Sequence, residues 1–210
     1  MTPARLARAF YGRATLQVAR ELLGKVLVHR SAAGYASGRI VEVEAYIGED
    51  DPACHAAPGP TPRNAPLYGP AGFSYVYLNY GIHCLMNVVT EQPGVPAAVL
   101  IRALEPLEGV EIMRRRRARG TGVVAGSLPD AALCRGPGNL SRALGITLRQ
   151  NREDLTGDRL YLQDRGLDVT DVAWGPRIGI RVGVDRPWRC CAIGSPALSG
   201  RRVRLAQEQP

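Results

Sequence analysis

Length, composition and charge exclude several classes of protein. The chain has 210 residues, which suits one domain with a sizeable core and is short for two. It is 45% hydrophobic, yet no apolar run approaches the length of a membrane span, so we predict no membrane association. The net charge of +8 is almost all arginine and favours a polyanionic partner, although genomic codon bias toward arginine gives the same composition.

The N-terminal segment and the cysteines predict a cytoplasmic protein. Residues 1–16 are basic but lack the apolar core and the small-residue cleavage site of a signal peptide. Five cysteines without a CxxC pair disfavour a disulfide framework and a standard zinc module. We therefore expect reduced thiols, no metal and no cofactor. Nothing in the sequence resembles a dimer seam, so we expect a monomer.

The first part of the chain predicts a helix followed by a hairpin. Residues 15–23 (TLQVARELL) carry apolar side chains at helical spacing, and Gly24 follows as a stop. Residues 25–30 (KVLVHR) predict a strand, residues 31–38 a loop, and residues 39–46 (RIVEVEAY) the returning strand.

Two carboxylates share one face of that returning strand. Alternation predicts one face made of Val41, Val43 and Ala45 and an opposite face made of Ile40, Glu42, Glu44 and Tyr46. Residues two apart on a strand are separated by about 7 Å, so the two glutamates stand together. A solvated outer face is the simplest explanation for them. The next segment, however, is an acidic and then Pro- and Gly-rich loop that carries His55, and such a loop folds over a strand end and lines a site.

Residues 61–87 hold half of the chain's eight tyrosines and predict a second hairpin. The β-branched and aromatic run 73–80 predicts a strand, residues 79–81 a turn, and HCLMNVVT the returning strand. Tyr80 is then near the tip, where an aromatic side chain of a basic protein can wedge between stacked bases. Tyr77 can offer a flat surface to one base. Core packing is the alternative, for Tyr75 in particular.

The next predicted elements contain arginines for which a partner must be found. The strand AAVLIRALEP includes Arg102, which needs a carboxylate or a phosphate as partner. Pro106 predicts the start of a helix that ends in the arginines at 114–117 and 119. Cations at a helix C-terminus suit its dipole, so a solvated face explains part of this run and a phosphate contact explains the rest.

The last part of the chain predicts loops, a short helix and strands that complete a sheet. Residues 119–132 predict a mobile surface loop, and a Gly-Pro-Gly turn leads into a helix from about Ser141. The segments LYLQD, RIGIRVGV and WRCCAIG predict short strands, and residues 201–210 a basic tail.

Several motifs, taken in order, carry a resemblance to a known family. They are RIVEVEAYIGEDDPACHA, TPRN, the tyrosine hairpin ending in MN, LIRALEPLEG, CRGPGNL and RIGI. Together they resemble the alkyladenine type of 3-methyladenine DNA glycosylase over roughly residues 16–194. The resemblance implies an α+β fold, with a single mixed domain over residues 1–210 and frayed tails at about 1–8 and 203–210. It also implies a curved antiparallel β-sheet with a protruding β-hairpin and surrounding helices.

The same resemblance implies two catalytic residues and two residues that contact DNA. Glu44 is similar to the carboxylate that activates a water for attack on the sugar of a flipped nucleotide. Arg102 resembles a group that helps to position this water. Tyr80 is similar to the side chain that fills the gap left in the duplex, and Ile82 follows it on the hairpin as a further DNA contact.

Five other positions resemble the residues that hold the extruded base. Tyr46, His55 and Tyr77 correspond to residues that sandwich the base and bind its edge, with the Ala53 backbone near its exocyclic group. Asn87 resembles a pocket residue that screens the amino group of guanine. Alkylation at a ring nitrogen places positive charge on a purine, which makes the base a better leaving group and a better partner for aromatic faces.

The activity implied is hydrolysis of the N-glycosidic bond of 3-methyladenine and related alkylated purines in double-stranded DNA. We expect this base-excision repair activity in the cytoplasm, in association with the nucleoid through DNA. Lys25 is the only lysine and precedes an apolar strand, which disfavours a Schiff-base lyase. The sequence therefore predicts a monofunctional enzyme that leaves an abasic site.

Two alternatives remain open at this point. Cys54-His55 and His83-Cys84 offer soft ligands to a metal-dependent hydrolase, but neighbours on a strand point to opposite faces, which disfavours a shared ion. A noncatalytic nucleic-acid-binding module would use the same basic, tyrosine-rich surface. Replacing Glu44 with glutamine distinguishes the latter, because a module that only binds needs no general base.

Overall fold

A computed structural model describes residues 4–120, 122 and 124–200, and in them one nine-stranded antiparallel sheet is flanked by helices. The strands are β1 (Ala4–Arg5), β2 (Val26–Ser31), β3 (Gly34–Ile47), β4 (Ser74–Asn79), β5 (His83–Val89), β6 (Ala97–Glu108), β7 (Leu160–Asp164), β8 (Val172–Gly175) and β9 (Arg189–Ala192). The helices are α1 (Arg8–Tyr11), α2 (Thr15–Leu22), α3 (Val110–Ala118), α4 (Asp130–Leu133) and α5 (Pro137–Leu144). The predicted α+β class with one antiparallel sheet is confirmed.

The long strand β3 is the centre of this sheet. The strand order is β1-β7-β2-β3-β6-β5-β4, with β9 pairing with β3 and β8 pairing with β9. β6 pairs along one edge of β3. Along the other edge, β2 pairs with the first part of β3 and β9 with a later part. The hairpin of β4 and β5 lies at the end of this order. The sheet remains open, because β1 and β4 are its terminal strands.

The main hydrophobic core lies on one face of the sheet, beneath the helices. It contains Leu22 from α2, Val43 from β3, Ile101 from β6, Leu140 from α5 and Trp174 from β8, each of them fully buried. On each strand, the residues next to these core residues point to the opposite face of the sheet. That second face carries the polar and aromatic side chains of the candidate site.

Two compensating bulges shift the alternation of β3 and β6. Ile40 pairs with Leu104 and Glu42 with Ala103, so Val41 is an extra residue on β3, and between Ala103 and Ile101 the extra residue on β6 is Arg102. Ile40 therefore joins Val43 in the main core, while Val41 packs in a separate cluster on the other side. The predicted placement of Ile40 and Val41 was wrong for this reason, whereas that of Glu42, Glu44 and Tyr46 agrees with the structure.

β6 continues past Pro106, so the helix predicted from that residue begins later. Pro106 pairs with Gly38 on β3, and its missing N–H costs nothing because no second strand of the described chain flanks β6 there. Gly109 then adopts a left-handed conformation, with φ of 71°, and α3 starts at Val110. A side chain at Gly109 would overlap the backbone carbonyl of Tyr35, so glycine is required at this strand-to-helix junction.

The arginine run of α3 is used largely for packing. Arg114 contacts the Leu128 carbonyl and Asp130, Arg116 donates to the carbonyls of Ala143 and Leu144, and Arg117 donates to that of Leu133. These bonds tie α3 to the α4 and α5 region. Arg115 and Arg119 remain exposed.

Four further boundaries differ from the sequence predictions. The loop over 31–38 is shorter, because β3 begins at Gly34 and pairs it with Ser31. The helix expected from Ser141 begins at Pro137, in the first helical position where proline is favoured. Residues 177–184 (RIGIRVGV) form no strand, and the strand between β7 and β9 is instead β8, at Val172–Gly175. Within the tail predicted to be frayed over about residues 1–8, Ala4–Arg5 form β1 and pair with β7.

Some predicted features fall outside the described residues. These are the tail at 1–3, the basic tail at 201–210, and residues 121 and 123 of the loop at 119–132. The remainder of that loop includes a 3₁₀ turn over Ala125–Ser127 and the start of α4. Within the described ranges, no helix has both the length and the apolar character of a membrane span.

Candidate active site

A row of four residues runs across the second face of the sheet. Glu44 on β3 is opposite Leu100 on β6, Leu100 is opposite Asn87 on β5, and Asn87 is opposite Tyr75 on β4. Residues directly opposite in antiparallel strands point to the same face, so the register alone brings these side chains together. The separate sequence motifs thus meet because β3, β6, β5 and β4 are consecutive strands of the sheet.

This face contains a cavity of about 420 Å³. Seven of the predicted site residues line it: Tyr46, Ala53, His55, Tyr77, Tyr80, Asn87 and Arg102. Its remaining wall includes Pro137 and the irregular segment 178–180. Glu44 lies behind the wall, fully buried and hydrogen-bonded to two of the lining side chains. Ile82 does not line the cavity and is exposed at the hairpin tip.

Three hydrogen bonds hold the Glu44 carboxylate. Its Oε1 atom accepts the backbone N–H of Ile178 at 2.6 Å. Its Oε2 atom accepts the Tyr46 hydroxyl at 2.9 Å and Arg102 Nη1 at 3.1 Å. Because the donors come from β3, β6 and the segment after β8, the carboxylate has one fixed orientation at the cavity wall.

Arg102 bridges Glu44 to a second buried carboxylate. Its Nε donates to Glu42 Oε1 at 3.2 Å, and its Nη2 donates to the Ser199 hydroxyl at 3.1 Å. Glu42 also accepts Arg189 Nε at 2.7 Å and the Ser199 backbone N–H at 2.6 Å. The sequence prediction that Arg102 needs a carboxylate or a phosphate as partner is confirmed, since two carboxylates contact it. The solvated outer face considered for the two glutamates is wrong because both are fully buried.

Burial sets the protonation behaviour of these groups. Burial raises the pKa of the Glu44 carboxyl above its ordinary value, against the opposing effects of Arg102, the Ile178 N–H and the Tyr46 hydroxyl. Burial also raises the pKa of Tyr77 to about 12, with Tyr75 and Glu44 adding to the increase. Burial lowers the pKa of His55, and the charge of Arg63 lowers it further. At neutral pH the aromatic wall is therefore uncharged.

A buried ion pair supports Tyr46 from outside the cavity. Arg177 and Asp51 are both fully buried, and their two contacts are 2.5 Å and 2.8 Å long. The guanidinium carbon of Arg177 lies 4.7 Å from the centroid of the Tyr46 ring. Asp51 also accepts the Ala53 N–H at 3.2 Å. One pair therefore anchors the segment that delivers the Ile178 N–H and the loop that carries Ala53 and His55.

The aromatic wall opposite β3 is held by its own contacts. His55 and Tyr77 meet edge to face with ring centroids 4.4 Å apart, and His55 Nδ1 lies 2.8 Å from the Tyr75 hydroxyl. The Asn64 side chain, from the TPRN motif, donates to the carbonyls of His55 and Gly59. Tyr75 is buried as a core residue would be, yet it also lines the cavity.

The hairpin tip projects from the protein beside the cavity mouth. Tyr80 is 87% exposed and Ile82 is 74% exposed. Tyr80 and Gly81 both have positive φ, of 49° and 71°, which makes a tight turn closed by the Ile82 N–H and the Asn79 carbonyl. A bulky aromatic residue rarely adopts this conformation, and such strain is typical of functional positions.

Sequence reasoning missed Arg177, Ile178 and Ser199 as members of the site. Arg177 and Ile178 belong to the RIGI motif, but the pattern predicted a strand there, and a strand offers no reason for a backbone N–H to reach Glu44. Among the described residues, no group of three or more His, Cys, Asp or Glu side chains is arranged to hold a metal ion. Cys54, His55, His83 and Cys84 are accordingly not gathered into such a group in the part of the chain that the structure describes.

Comparison with known proteins identifies similar chains. The model of the methylpurine-DNA glycosylase family matches residues 9–196. A protein of Burkholderia cenocepacia (strain HI2424) is 47% identical over 201 residues, which cover 94% of this chain and 92% of that protein. A protein of Methanocella arvoryzae is 48% identical over 200 residues, covering 93% and 96%. One of Chlorobaculum tepidum is 43% identical over 197 residues, covering 93% and 90%. All three bear the name "Putative 3-methyladenine DNA glycosylase".

Proposed function

The chain belongs to the methylpurine-DNA glycosylase family, and we propose that it removes alkylated purines, 3-methyladenine among them, from double-stranded DNA. The observation that carries the proposal is a fully buried carboxylate, Glu44, that is hydrogen-bonded to Tyr46 in the wall of a cavity which His55 and Tyr77 also line. The volume of about 420 Å³ lies within the range of small-molecule sites. The enzyme hydrolyses the N-glycosidic bond and leaves an abasic site.

Aromatic faces select the substrate. An alkylated purine carries positive charge, and the uncharged rings of Tyr46 and Tyr77 attract a cation more strongly than a neutral base. The Ala53 N–H is already bonded to Asp51, so the backbone group of Ala53 left to bind the base is its carbonyl oxygen, which can accept a hydrogen from an exocyclic amino group. Asn87, held by its bond to the Tyr75 carbonyl, blocks the amino group of guanine.

Glu44 is the general base. A carboxylate oxygen has two lone-pair positions, and Oε1 uses one for the Ile178 N–H, so the other can accept a proton from water. Departure of the base leaves an oxocarbenium-like sugar, which a nearby carboxylate stabilises while it activates the water. Arg102 helps to position this water beside Glu44 and counters the carboxylate charge in the buried site.

The base reaches the cavity by leaving the duplex. Flipping a nucleotide costs a few kcal/mol, and stacking against side chains at about 1–3 kcal/mol per base offsets that cost. Tyr80, exposed at the hairpin tip, enters the space that the base leaves, with Ile82 beside it. The surface charge of this arginine-rich chain supplies the sequence-independent attraction to phosphate.

The enzyme does not cleave the DNA strand, because the amine of the chain's only lysine is not available as a nucleophile. Lys25 Nζ is bonded to Asp164 at 2.6 Å and to Asp168 at 2.9 Å. Burial lowers the pKa of Lys25, but the two carboxylates outweigh it and the net pKa is raised. A protonated, paired amine does not form a Schiff base.

One assay tests the proposal. The protein is incubated with duplex DNA containing 7-methylguanine or 3-methyladenine in the presence of a metal chelator. Free base and alkali-labile sites should accumulate, with no nicks before alkali treatment. Binding without base release would instead favour the noncatalytic module, and loss of activity in chelator would favour the metal-dependent hydrolase. Gel filtration of the same preparation tests the proposed monomer.

The rate of base release should fall as the pH is lowered through the pKa of Glu44. A general base works only when ionised, and burial raises this pKa above its ordinary value of 4.5. The acid limb of the single-turnover rate should therefore lie above pH 4.5, with activity lost below it and retained above it. Subtraction of spontaneous depurination in buffer alone is the control. An acid limb at or below the ordinary glutamate value would contradict this assignment.

Replacing Tyr80 with alanine should weaken action on duplex DNA. Loss of about 1–3 kcal/mol of stacking corresponds to a decrease of roughly 5- to 150-fold in binding of lesion-containing duplex. Release of 7-methylguanine from single-stranded DNA should change much less, because no gap has to be filled. Ile193→Ala is the matched control, since Ile193 is also an exposed apolar residue but lies after β9, away from the cavity. Equal losses on both substrates would refute the wedge.

A further inference from the structure

We propose that Glu42 is a positioning residue, which holds Arg102 between two buried carboxylates and sets the pH range in which Glu44 is ionised. This inference rests on the proposed function, because it concerns the general base. Glu42 itself touches no part of the cavity surface and is fully buried. Its effect on the reaction must therefore pass through Arg102 and through its charge.

The two bulges explain why Arg102 can contact both carboxylates. Arg102 is the extra residue of β6, and a bulge redirects the side chain that it carries. The guanidinium places Nε on Glu42 Oε1 and Nη1 on Glu44 Oε2, at 3.2 Å and 3.1 Å. Without Glu42, the contact of Nη2 with Ser199 is the one described hydrogen bond left on the Glu42 side of the guanidinium. The orientation of Arg102 toward the proposed water thus depends on Glu42.

The local charge balance is nearly even. Glu42 and Glu44 contribute two negative charges, and Arg102 and Arg189 contribute two positive ones, all of them buried. Arg189 has its Nε on Glu42 at 2.7 Å, and its Nη1 has no hydrogen-bond partner within residues 4–120, 122 and 124–200. Glu42 is therefore the only carboxylate that Arg189 contacts among the described residues. Removing the Glu42 charge leaves the site with an excess positive charge beside Glu44.

Other groups also act on the two carboxylates, and of these only Arg189 changes its charge in the test. From β3, β4, β6, β9 and the segment after β8, the titratable or charged groups that face Glu42 and Glu44 are Tyr46, Tyr77, Arg102, Cys191, Arg189 and Arg177. Tyr46, Tyr77 and Cys191 are buried with raised pKa values and stay neutral near pH 7. Burial lowers the pKa values of Arg102 and Arg177, but the neighbouring carboxylates outweigh it and the net pKa values are raised, so both stay charged throughout.

The sign of the expected effect follows from Coulomb's law. A negative neighbour disfavours ionisation of Glu44, and a positive neighbour favours it. Two carboxylates two residues apart on a strand are separated by about 7 Å, at which one unit charge shifts a titration by on the order of one pH unit. Glu42→Gln should therefore move the acid limb of base release downward, and Arg189→Gln should move it upward.

The test is a double-mutant cycle on the acid limb. Single-turnover release of 7-methylguanine from duplex DNA is measured between about pH 5 and pH 9 for the wild-type protein, Glu42→Gln, Arg189→Gln and the double variant. The expected result is a downward shift of about one pH unit for Glu42→Gln, an upward shift for Arg189→Gln, and an intermediate limb for the charge-balanced double variant. If Glu42→Gln does not fold, the double variant is compared with Arg189→Gln. That comparison also removes the Glu42 charge, so the acid limb should again shift downward.

Two controls separate charge from structure. Ser199→Ala removes hydrogen bonds to Glu42 and Arg102 without a change of charge. Glu105→Gln makes the same chemical change as Glu42→Gln but on β6, where Glu105 forms an ion pair with Arg39. Both should keep the wild-type limb, whatever their plateau rates. Limbs that stay within a few tenths of a pH unit in both charge variants, or that move in the same direction, would overturn the proposal. A wild-type protein that releases no base would overturn the proposed function itself.

Discussion

Glu44→Gln should lose base release while retaining its affinity for lesion-containing duplex. Glutamine has nearly the shape of glutamate and keeps an acceptor for Tyr46 or for the Ile178 N–H, but it cannot take a proton from water. General-base catalysis contributes about 10²–10⁴-fold, and loss of the charge that stabilises an oxocarbenium-like sugar adds to the deficit. We expect single-turnover release to fall by at least about 100-fold.

The measurement pairs a rate with a binding constant. Release of 7-methylguanine is followed with enzyme in excess, and the Kd for the same duplex is measured in parallel for wild-type and variant proteins. Glu105→Gln is the matched control, because it replaces a carboxylate outside the cavity. An unchanged rate in Glu44→Gln would show that Glu44 is not the general base. A large increase in Kd with an unchanged rate at saturation would instead assign Glu44 to substrate binding.

Local patterns in the sequence predict the framework of this site. Strand alternation places Glu42, Glu44 and Tyr46 together, and the turn at 79–81 places Tyr80 at an exposed tip. Both are short-range properties, set by side-chain period and by turn chemistry. That Arg102 needs an anionic partner can also be predicted from this residue alone, because burying an arginine within an apolar strand is costly unless it is paired.

Long-range contacts account for what the sequence pattern did not predict. The bulge pair at Val41 and Arg102 depends on the register between β3 and β6, which are about sixty residues apart in the chain. Residues 177–184 alternate as a strand would, yet the Ile178 N–H is bound by Glu44, so the segment pairs with a side chain and not with a neighbouring strand. Alternation cannot distinguish these two partners for a backbone N–H.

Among the long-range contacts, the buried ion pair of Arg177 and Asp51 is the one whose loss should lower the free energy of unfolding most. Both side chains are fully buried, and Arg177 also donates to the carbonyls of Ala45 and Gly183. Removing one partner of a buried ion pair costs about 3–5 kcal/mol, because the other charge remains in the interior without compensation. Arg177→Met should lower the free energy of unfolding by about that amount. It should also slow base release, since Tyr46 and the Ile178 N–H lose their support.

Urea unfolding compares Arg177→Met with Arg186→Met and with the double variant Arg177→Met/Asp51→Asn. Arg186 lies over the same Trp188 ring as Arg177 but is partly exposed, and its ion pair with Asp51 is longer, at 3.9 Å, so its loss should cost less than about 1 kcal/mol. The double variant should recover part of the loss, because no buried carboxylate then lacks a cation. If Arg177→Met unfolded at the same urea concentration as Arg186→Met, the ion pair would not be what holds the loop of Ala53 and the segment of Ile178 against Tyr46.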